Sequence, residues 1–192
     1  MKASSRRSLV IILIICASIL IGFVTDALWS LIDKAQHPVD YEEIISRYSE
    51  EYNIPKDVIF AVIKVESDFD PEAESSAGAM GLMQMIPSTF EWLTGKEHLN
   101  EKLPVQKLFE PEVSIRYGTY YLAYLYRSFD YNWHTVFAAY NGGEGNVRKW
   151  LKNPEYSDGE GNLTEIPFKE TRSYVAKVED ARDTYRELYP ES

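Results

Sequence analysis

One glutamate in this sequence lies on an otherwise apolar helical stripe, where it could act as an acid or a base. Glu66 follows Ile59, Val62 and Ile63 at helical spacing, so the four side chains share one face of a predicted helix. Burial disfavours the charged form of a carboxyl group and raises its pKa. A carboxyl group that keeps its proton near neutral pH can act as a general acid. The spacing also fits an ion-paired or solvated glutamate at a helix end, so it does not decide between these interpretations.

A short segment with two glycines and an amide follows the predicted helix. Gly78 and Gly81 are three residues apart and allow unusual dihedral angles or a close backbone approach. Gln84 then offers both a hydrogen-bond donor and an acceptor. An acid at a helix end, a glycine-containing turn and an amide together indicate a cleft that faces a carbohydrate. A glycine pair alone is also typical of an ordinary turn.

Four short motifs occur between residues 66 and 175. They are Glu66-Ser67; Gly78-x-x-Gly81-Leu82-Met83-Gln84 with Pro87; Ala138-Ala139-Tyr140-Asn141-Gly142-Gly143; and Glu170-Thr171-x-x-Tyr174-Val175. In this order they resemble the motifs of the lytic transglycosylase catalytic domain, of the soluble-transglycosylase type that shares the goose-type lysozyme fold. The resemblance extends over residues 40–188 approximately. It implies a mainly α-helical, lysozyme-like domain.

The resemblance also implies a reaction. Enzymes of this family cleave the β-1,4 bond between N-acetylmuramic acid and N-acetylglucosamine in the glycan strands of peptidoglycan. Glu66 would protonate the glycosidic oxygen and would then act as a base on the muramoyl C6 hydroxyl, which attacks C1 and leaves a 1,6-anhydromuramoyl end. Because the nucleophile comes from the substrate, the reaction needs neither a second carboxylate nor a cofactor.

By family position, five further residues would bind or orient the substrate: Ser75, Gln84, Tyr140, Asn141 and Tyr174. Tyr140 would lie beside Glu66, and Tyr174 would line the cleft from the last helix. Whether Ser75 or Ser76 meets the substrate stays open. Ile86 stands where some relatives have a methionine in the cleft, a difference that would tune sugar packing without removing chemistry.

Two other functions compete with this interpretation. The first is a goose-type muramidase that hydrolyses the same bond with water, which product analysis distinguishes because only the transglycosylase leaves an anhydro end. The second is a non-catalytic wall-binding module on the same fold. The presence of Glu66 argues against the second, since such a module is expected to have lost the acid.

The N-terminal segment has the composition of a membrane anchor. Residues 1–8 form a basic tail, and the apolar run Leu9–Val24 continues through Ala27 to Trp29, so residues 9–29 are predicted to be a transmembrane signal-anchor. Residues 30–39 are then expected to be a linker and residues 40–190 the catalytic domain. The expected location is the cell membrane, single-pass, with the catalytic domain outside. Secretion after signal cleavage is the alternative.

Charge and residue usage exclude several classes of protein. The net charge is −10, and Lys2, Arg6 and Arg7 precede the apolar run, so the remainder is strongly acidic and unsuited to nucleic acid. Cys16 is the single cysteine, so no intramolecular disulfide forms. The three histidines are scattered, and we expect no metal site and no cofactor.

Periodicity and proline positions predict the elements that carry the motifs. A tyrosine-rich helix runs from Pro111 to about Phe129, and another, residues 133–140, delivers Tyr140 and Asn141 at its end. A loop or small hairpin at 152–167 precedes the last helix. In the tyrosine-rich helix, most side chains of one face are expected to pack in the core: Val113, Tyr117, Tyr120, Tyr124 and Leu125. The predicted fold is thus mainly α-helical, with at most a small β-hairpin.

Overall fold

The computed structural model describes residues 2–95 and 97–190, with side chains from residue 13 onward. The chain divides into two compact units, one ending at Pro38 and one beginning at Val39.

The N-terminal unit is one helix, α1, Lys2–Gln36. Its part Leu13–Gln36 has a mean hydropathy of 2.0 and no buried residue, so it is long and apolar enough to cross a membrane. Residues 30–36, expected to lie in a linker, are helical. No glycine or proline interrupts the chain between Gly22 and Pro38, so the helix continues until the proline disfavours it.

The second unit is built from helices, as predicted. In the described residues these are α2 Glu42–Tyr52, α3 Lys56–Ser67, α4 Pro87–Leu93, a 3-10 helix Val105–Phe109, α5 Pro111–Ser128, α6 Trp133–Gly142, α7 Glu144–Trp150 and α8 Lys169–Leu188. Pro87 and Pro111 open α4 and α5, where a missing N–H costs nothing. Extended pairing among the described residues is limited to isolated bridges, one of them between Ser157 and Leu163. The expectation of a mainly α-helical chain with one apolar N-terminal helix is confirmed.

Helix α3 lies at the centre of the core. Its residues 58–63 are completely buried, so the helix is enclosed on all sides and is not merely apolar on one stripe. It packs chiefly against α8, and the ring of Phe60 stacks on that of Tyr185 at 5.3 Å. Because its neighbours surround it, α3 holds its C-terminal end, and hence Glu66, in a defined position.

A buried ion-pair cluster fixes the other end of α3. Asp57, in its first turn, accepts a hydrogen bond from Arg182 Nε at 2.8 Å and forms an ion pair with Arg186 Nε at 2.7 Å, both on α8. Asp57 and Arg182 are largely buried, so loss of one partner would leave an uncompensated charge. The cluster therefore sets the register of α3 against α8, the two helices that carry Glu66 and Tyr174.

A second, smaller apolar cluster supports the region between α3 and α5. Its buried members are Met80, Met85, Phe90, Leu93, Leu108 and Tyr117. They join the glycine-containing segment, α4, the 3-10 helix and α5, so these elements form one wall beside the end of α3.

Candidate active site

Glu66 lies in the last turn of α3, and its side chain lines a cleft with a volume of about 310 Å³. The cleft is lined by residues from the glycine-containing segment and from α4, α5, α6 and α8: Ser75, Ala77, Ala79, Gln84, Met85, Ile86, Thr89, Tyr121, Tyr140, Asn141, Gly143 and Glu170. The helix ends directly afterwards because Asp68 adopts a left-handed conformation with φ 52°. The acid is thus presented at the end of a rigid, enclosed helix.

Burial raises the pKa of Glu66 from its ordinary 4.5 to about 7. The hydroxyl of Tyr174, on α8, acts on the same carboxyl group and partly lowers the pKa. This hydroxyl is buried and has no partner of ordinary hydrogen-bond geometry among the described residues. Its contact with Glu66 is therefore not a regular hydrogen bond, and burial has the larger effect on the pKa of Glu66.

The segment that faces Glu66 is a tight turn whose two glycines serve different purposes. A Cβ atom on Gly81 would lie 1.9 Å from the carbonyl oxygen of Leu108, so only glycine fits there. Gly78 has open space around its Cβ position but adopts φ 77°, which favours glycine for conformational reasons. The backbones of Met80 and Met85 exchange hydrogen bonds of 3.1 and 3.2 Å and close the turn.

Three side chains connect this turn to the helices around it. The Ser67 hydroxyl donates to the carbonyl of Leu82 at 2.8 Å, and the Tyr140 hydroxyl donates to the carbonyl of Met83 at 2.8 Å. The Met83 N–H donates to the Ser114 hydroxyl at 3.1 Å. The turn is consequently held by α3, α5 and α6 together, which keeps the cleft wall at a constant distance from the acid.

Gln84 uses its amide nitrogen inside the turn. The Nε2 group donates to the carbonyls of Ala73 at 2.9 Å and Gly81 at 3.0 Å, which also defines the orientation of the amide. Its Oε1 atom remains as an acceptor on the cleft wall. The residue can therefore accept a hydrogen bond from a substrate hydroxyl or amide.

Ser75 lines the cleft, whereas Ser76 is exposed and lies outside the lining. The Ser75 hydroxyl accepts a hydrogen bond from the Ala79 N–H at 3.0 Å. Its own proton stays available to donate, because that contact uses only a lone pair. Of the two serines left open by the sequence, Ser75 has the position and the free donor.

Tyr140 and Asn141 lie near the C-terminal end of α6 and line the cleft. The side chain of Asn132 caps the start of this helix by accepting from the Thr135 N–H at 3.1 Å. Burial raises the pKa of Tyr140 well above its usual range, and the Glu66 carboxylate beside it adds to the effect. Because the Tyr140 hydroxyl donates to a backbone carbonyl, its proton is not directed at Glu66. Asn141 is exposed on the wall.

Tyr174 differs from its expected position. It is buried beside Glu66 and is not among the residues that line the cleft. Tyr121, on α5, does line the cleft, although no role was predicted for it. Glu170 supplies a second, exposed carboxylate to the lining. Within the described residues, no group of three or more His, Cys, Asp or Glu side chains could hold a metal ion.

A helical domain with a carboxyl group of raised pKa in a cleft lined by hydroxyl and amide groups has the arrangement of enzymes that cleave glycosidic bonds by acid catalysis. Residues 43–162 match the family model of the transglycosylase SLT domain. The chain belongs to this family. The match includes the motifs from Glu66 to Asn141, and Tyr174 lies beyond it.

Named relatives and solved structures agree with this membership. The chain is 36% identical over 152 residues to the soluble lytic murein transglycosylase of Escherichia coli K12, covering 79% of this chain and 23% of that protein. It is 31% identical over 179 residues to the membrane-bound lytic murein transglycosylase C of Serratia proteamaculans, covering 81% and 48%. The chain thus spans about a quarter to a half of the relatives' length.

Among solved structures, the 70 kDa soluble lytic transglycosylase of Escherichia coli superposes with a TM-score of 0.74 at 34% identity, over 81% of this chain and 25% of that one. The complex of the 70 kDa soluble lytic transglycosylase with bulgecin A superposes with a TM-score of 0.75 at 34% identity, over 83% of this chain and 26% of that one. An inactive Glu-to-Gln mutant of the lytic transglycosylase Slt of Pseudomonas aeruginosa superposes with a TM-score of 0.71 at 32% identity, over 81% of this chain and 25% of that one. The expected lysozyme-like fold of the soluble-transglycosylase type is confirmed.

Proposed function

We propose that this chain is a peptidoglycan lytic transglycosylase, which cleaves the β-1,4 bond between N-acetylmuramic acid and N-acetylglucosamine and leaves 1,6-anhydromuramoyl ends. The observation that carries the proposal is Glu66, whose pKa of about 7 keeps a substantial protonated fraction at neutral pH. Family membership and the names of the relatives support the same substrate.

In the first half of the reaction, protonated Glu66 donates its proton to the glycosidic oxygen. The bond between that oxygen and C1 of the muramoyl residue breaks, and positive charge develops at C1. In the second half, the Glu66 carboxylate takes the proton of the C6 hydroxyl of the same residue, whose oxygen bonds to C1. The proton returned to Glu66 restores the enzyme, and no water is consumed.

The other residues of the lining position the sugar. The Ser75 hydroxyl is a free donor and the Gln84 Oε1 atom is an acceptor, so the two offer opposite groups to the N-acetyl and hydroxyl substituents of the substrate. Asn141 adds an amide at the end of α6. Tyr140 acts by holding the wall through Met83, and Tyr174 acts on the protonation of Glu66.

Hydrolysis by water is the second candidate, because Glu170 places another carboxylate in the lining. An ordinary glycoside hydrolase needs two carboxyl groups that lie about 5–10 Å apart. The test is mass spectrometry of peptidoglycan digested by the full-length chain in detergent. Products with anhydromuramoyl ends and no incorporation of ¹⁸O from labelled water support the proposal. Reducing ends that carry ¹⁸O, lost in Glu170→Gln, support hydrolysis instead.

The proposed location is the cell membrane, with α1 as a single span and the catalytic domain outside. The apolar part of α1, the basic residues Lys2, Arg6 and Arg7 before it, and the membrane-bound relatives support this topology. The soluble relatives fit the alternative of secretion after cleavage. Fractionation and N-terminal sequencing distinguish the two: a full-length band released only by detergent supports the anchor, and a soluble protein starting near Leu28 contradicts it.

A further inference from the structure

An exposed tryptophan lies directly beyond the cleft on α4. Ile86 and Thr89, at the start of this helix, line the cleft, and Trp92 follows one turn later. Phe90 and Leu93 of the same helix are completely buried, so α4 already has a core-facing side. Trp92 keeps 40% of its surface exposed on the other side, where burial in the core does not explain a large aromatic ring.

The indole ring is held in place by other aromatic rings. Tyr124 lies 5.0 Å from it and Tyr121 6.4 Å, both nearly perpendicular, and His98 lies 4.0 Å away. Tyr121 in turn lies 5.5 Å from Tyr140, whose pKa shows the influence of Glu66. A row of rings therefore leads from the acid, along the cleft, to Trp92. A ring fixed in this way loses little conformational entropy when a ligand stacks on it.

Charged groups of α7 border the same row. The Tyr124 hydroxyl donates to Glu144 at 3.3 Å, and Arg148 pairs with Glu144 at 2.6 Å. Gly143, directly before Glu144, lines the cleft. A carboxylate and a guanidinium group offer fixed acceptors and donors. Tyr124 thus contacts both the apolar ring of Trp92 and the carboxylate of the Glu144–Arg148 pair.

We propose that Trp92, with Glu144 and Arg148, forms a further sugar-binding subsite that takes an N-acetylhexosamine ring of the glycan strand beyond the position of bond cleavage. One face of a pyranose ring presents mainly C–H groups, which stack on an indole, while its hydroxyls meet the charged pair. The continuity of the ring row with the cleft identifies the occupant as the same strand. The identity of the polymer rests on the proposed function, whereas the position of the subsite rests on the contacts of Trp92.

The test measures binding of β-1,4-linked N-acetylglucosamine oligomers by calorimetry, in the full-length Glu66→Gln protein so that nothing is cleaved. Trp92→Ala is expected to weaken binding of the hexamer about tenfold, and binding of the dimer by less than about twofold, since only the longer ligand reaches the subsite. Arg148→Ala is expected to weaken hexamer binding about threefold. Tyr131→Ala removes another exposed aromatic ring, which is not part of the cleft lining, and should change neither affinity.

Trp92→Phe keeps an aromatic ring and the packing against Tyr124, so it should retain most of the hexamer affinity. This variant keeps the proposal testable if Trp92→Ala does not fold. Equal hexamer affinities in the parent and in Trp92→Ala, with circular dichroism unchanged, would overturn the subsite even if the chain cleaves peptidoglycan. A Trp92-dependent hexamer affinity in a chain that releases no anhydro ends would uphold the subsite and refute the proposed activity. Equal losses for dimer and hexamer would also overturn the subsite, by showing a general effect on the cleft.

Discussion

The buried hydroxyl of Tyr174, on α8, lies beside the carboxyl group of Glu66, on α3. Burial favours the protonated carboxyl that the first half of the proposed reaction needs, while Tyr174 favours the ionised form that the second half needs. The two effects leave the pKa of Glu66 at about 7, where one group can alternate between the two roles near neutral pH. The packing of α3 on α8 thus sets the chemistry of the site.

Replacing Glu66 by glutamine is expected to abolish turnover. Glutamine keeps the size and hydrogen-bonding capacity of the side chain but cannot donate a proton, so the rate should fall at least about a hundredfold. The measurement is release of soluble muropeptides from peptidoglycan, with circular dichroism to show that the fold is intact. Near-normal turnover in the folded variant would refute the assignment of Glu66 as the acid.

The same substitution is expected to change the pH dependence of stability. The pKa of Glu66 is higher in the folded chain than in the unfolded chain, so between pH 4.5 and about 7 the folded state binds more protons. The free energy of unfolding should therefore decrease by up to about 3 kcal/mol as pH rises through this window. In Glu66→Gln this contribution is absent, so its free energy of unfolding should not show the decrease. Urea unfolding at pH 4, 6 and 8 measures it. Parallel stability curves for parent and variant would show that Glu66 is not desolvated.

Tyr174→Phe is expected to raise the pKa of Glu66 further. The variant removes the hydroxyl that favours the carboxylate, so the loss of activity on the alkaline side should move to higher pH. Stability should change little or increase, because this buried hydroxyl lacks a well-aligned partner among the described residues. The pH–rate profile and the melting temperature check both points. An unshifted profile combined with a lower melting temperature would assign Tyr174 a purely structural role.

Tyr140→Phe is expected to lower both activity and stability. The variant leaves the carbonyl of Met83 without its 2.8 Å hydrogen bond, which should cost about 1–2 kcal/mol of stability and loosen the turn that carries Gln84. Tyr121→Phe is a matched control for stability, since its hydroxyl makes no hydrogen bond in the described part of the chain. Thermal unfolding compares them. If both variants melt like the parent, the contact to Met83 contributes nothing.

The two glycines of the turn should differ in their tolerance of alanine. Gly78→Ala meets only the cost of a positive φ angle, about 1–2 kcal/mol, because nothing lies near its Cβ position. Gly81→Ala would also place a methyl group 1.9 Å from the Leu108 carbonyl, so its loss of stability should be at least about twice as large. Chemical denaturation of both variants measures the two losses in the free energy of unfolding. Equal losses would show that the 3-10 helix carrying Leu108 moves easily.

Local signals were enough for the helical character of the chain and for the place of Glu66 near the end of a helix. The apolar spacing before Glu66, the prolines that open α4 and α5, and the glycines of the turn each act over a few residues, so their effect can be inferred from neighbouring positions. The motifs around them were sufficient to indicate the family. The same local pattern did not show that α3 is buried on every side, since that depends on helices distant in the chain.

Contacts between distant parts of the chain decided the rest. Tyr174 lies on an apolar stripe of α8, but only the packing of α8 on α3 turns its hydroxyl towards Glu66 and away from the cleft wall. Spacing likewise did not distinguish Tyr121, which lines the cleft, from Tyr117, which is completely buried one turn earlier in α5. Helical periodicity defines the face on which a side chain lies, whereas the neighbouring elements determine what that face contacts.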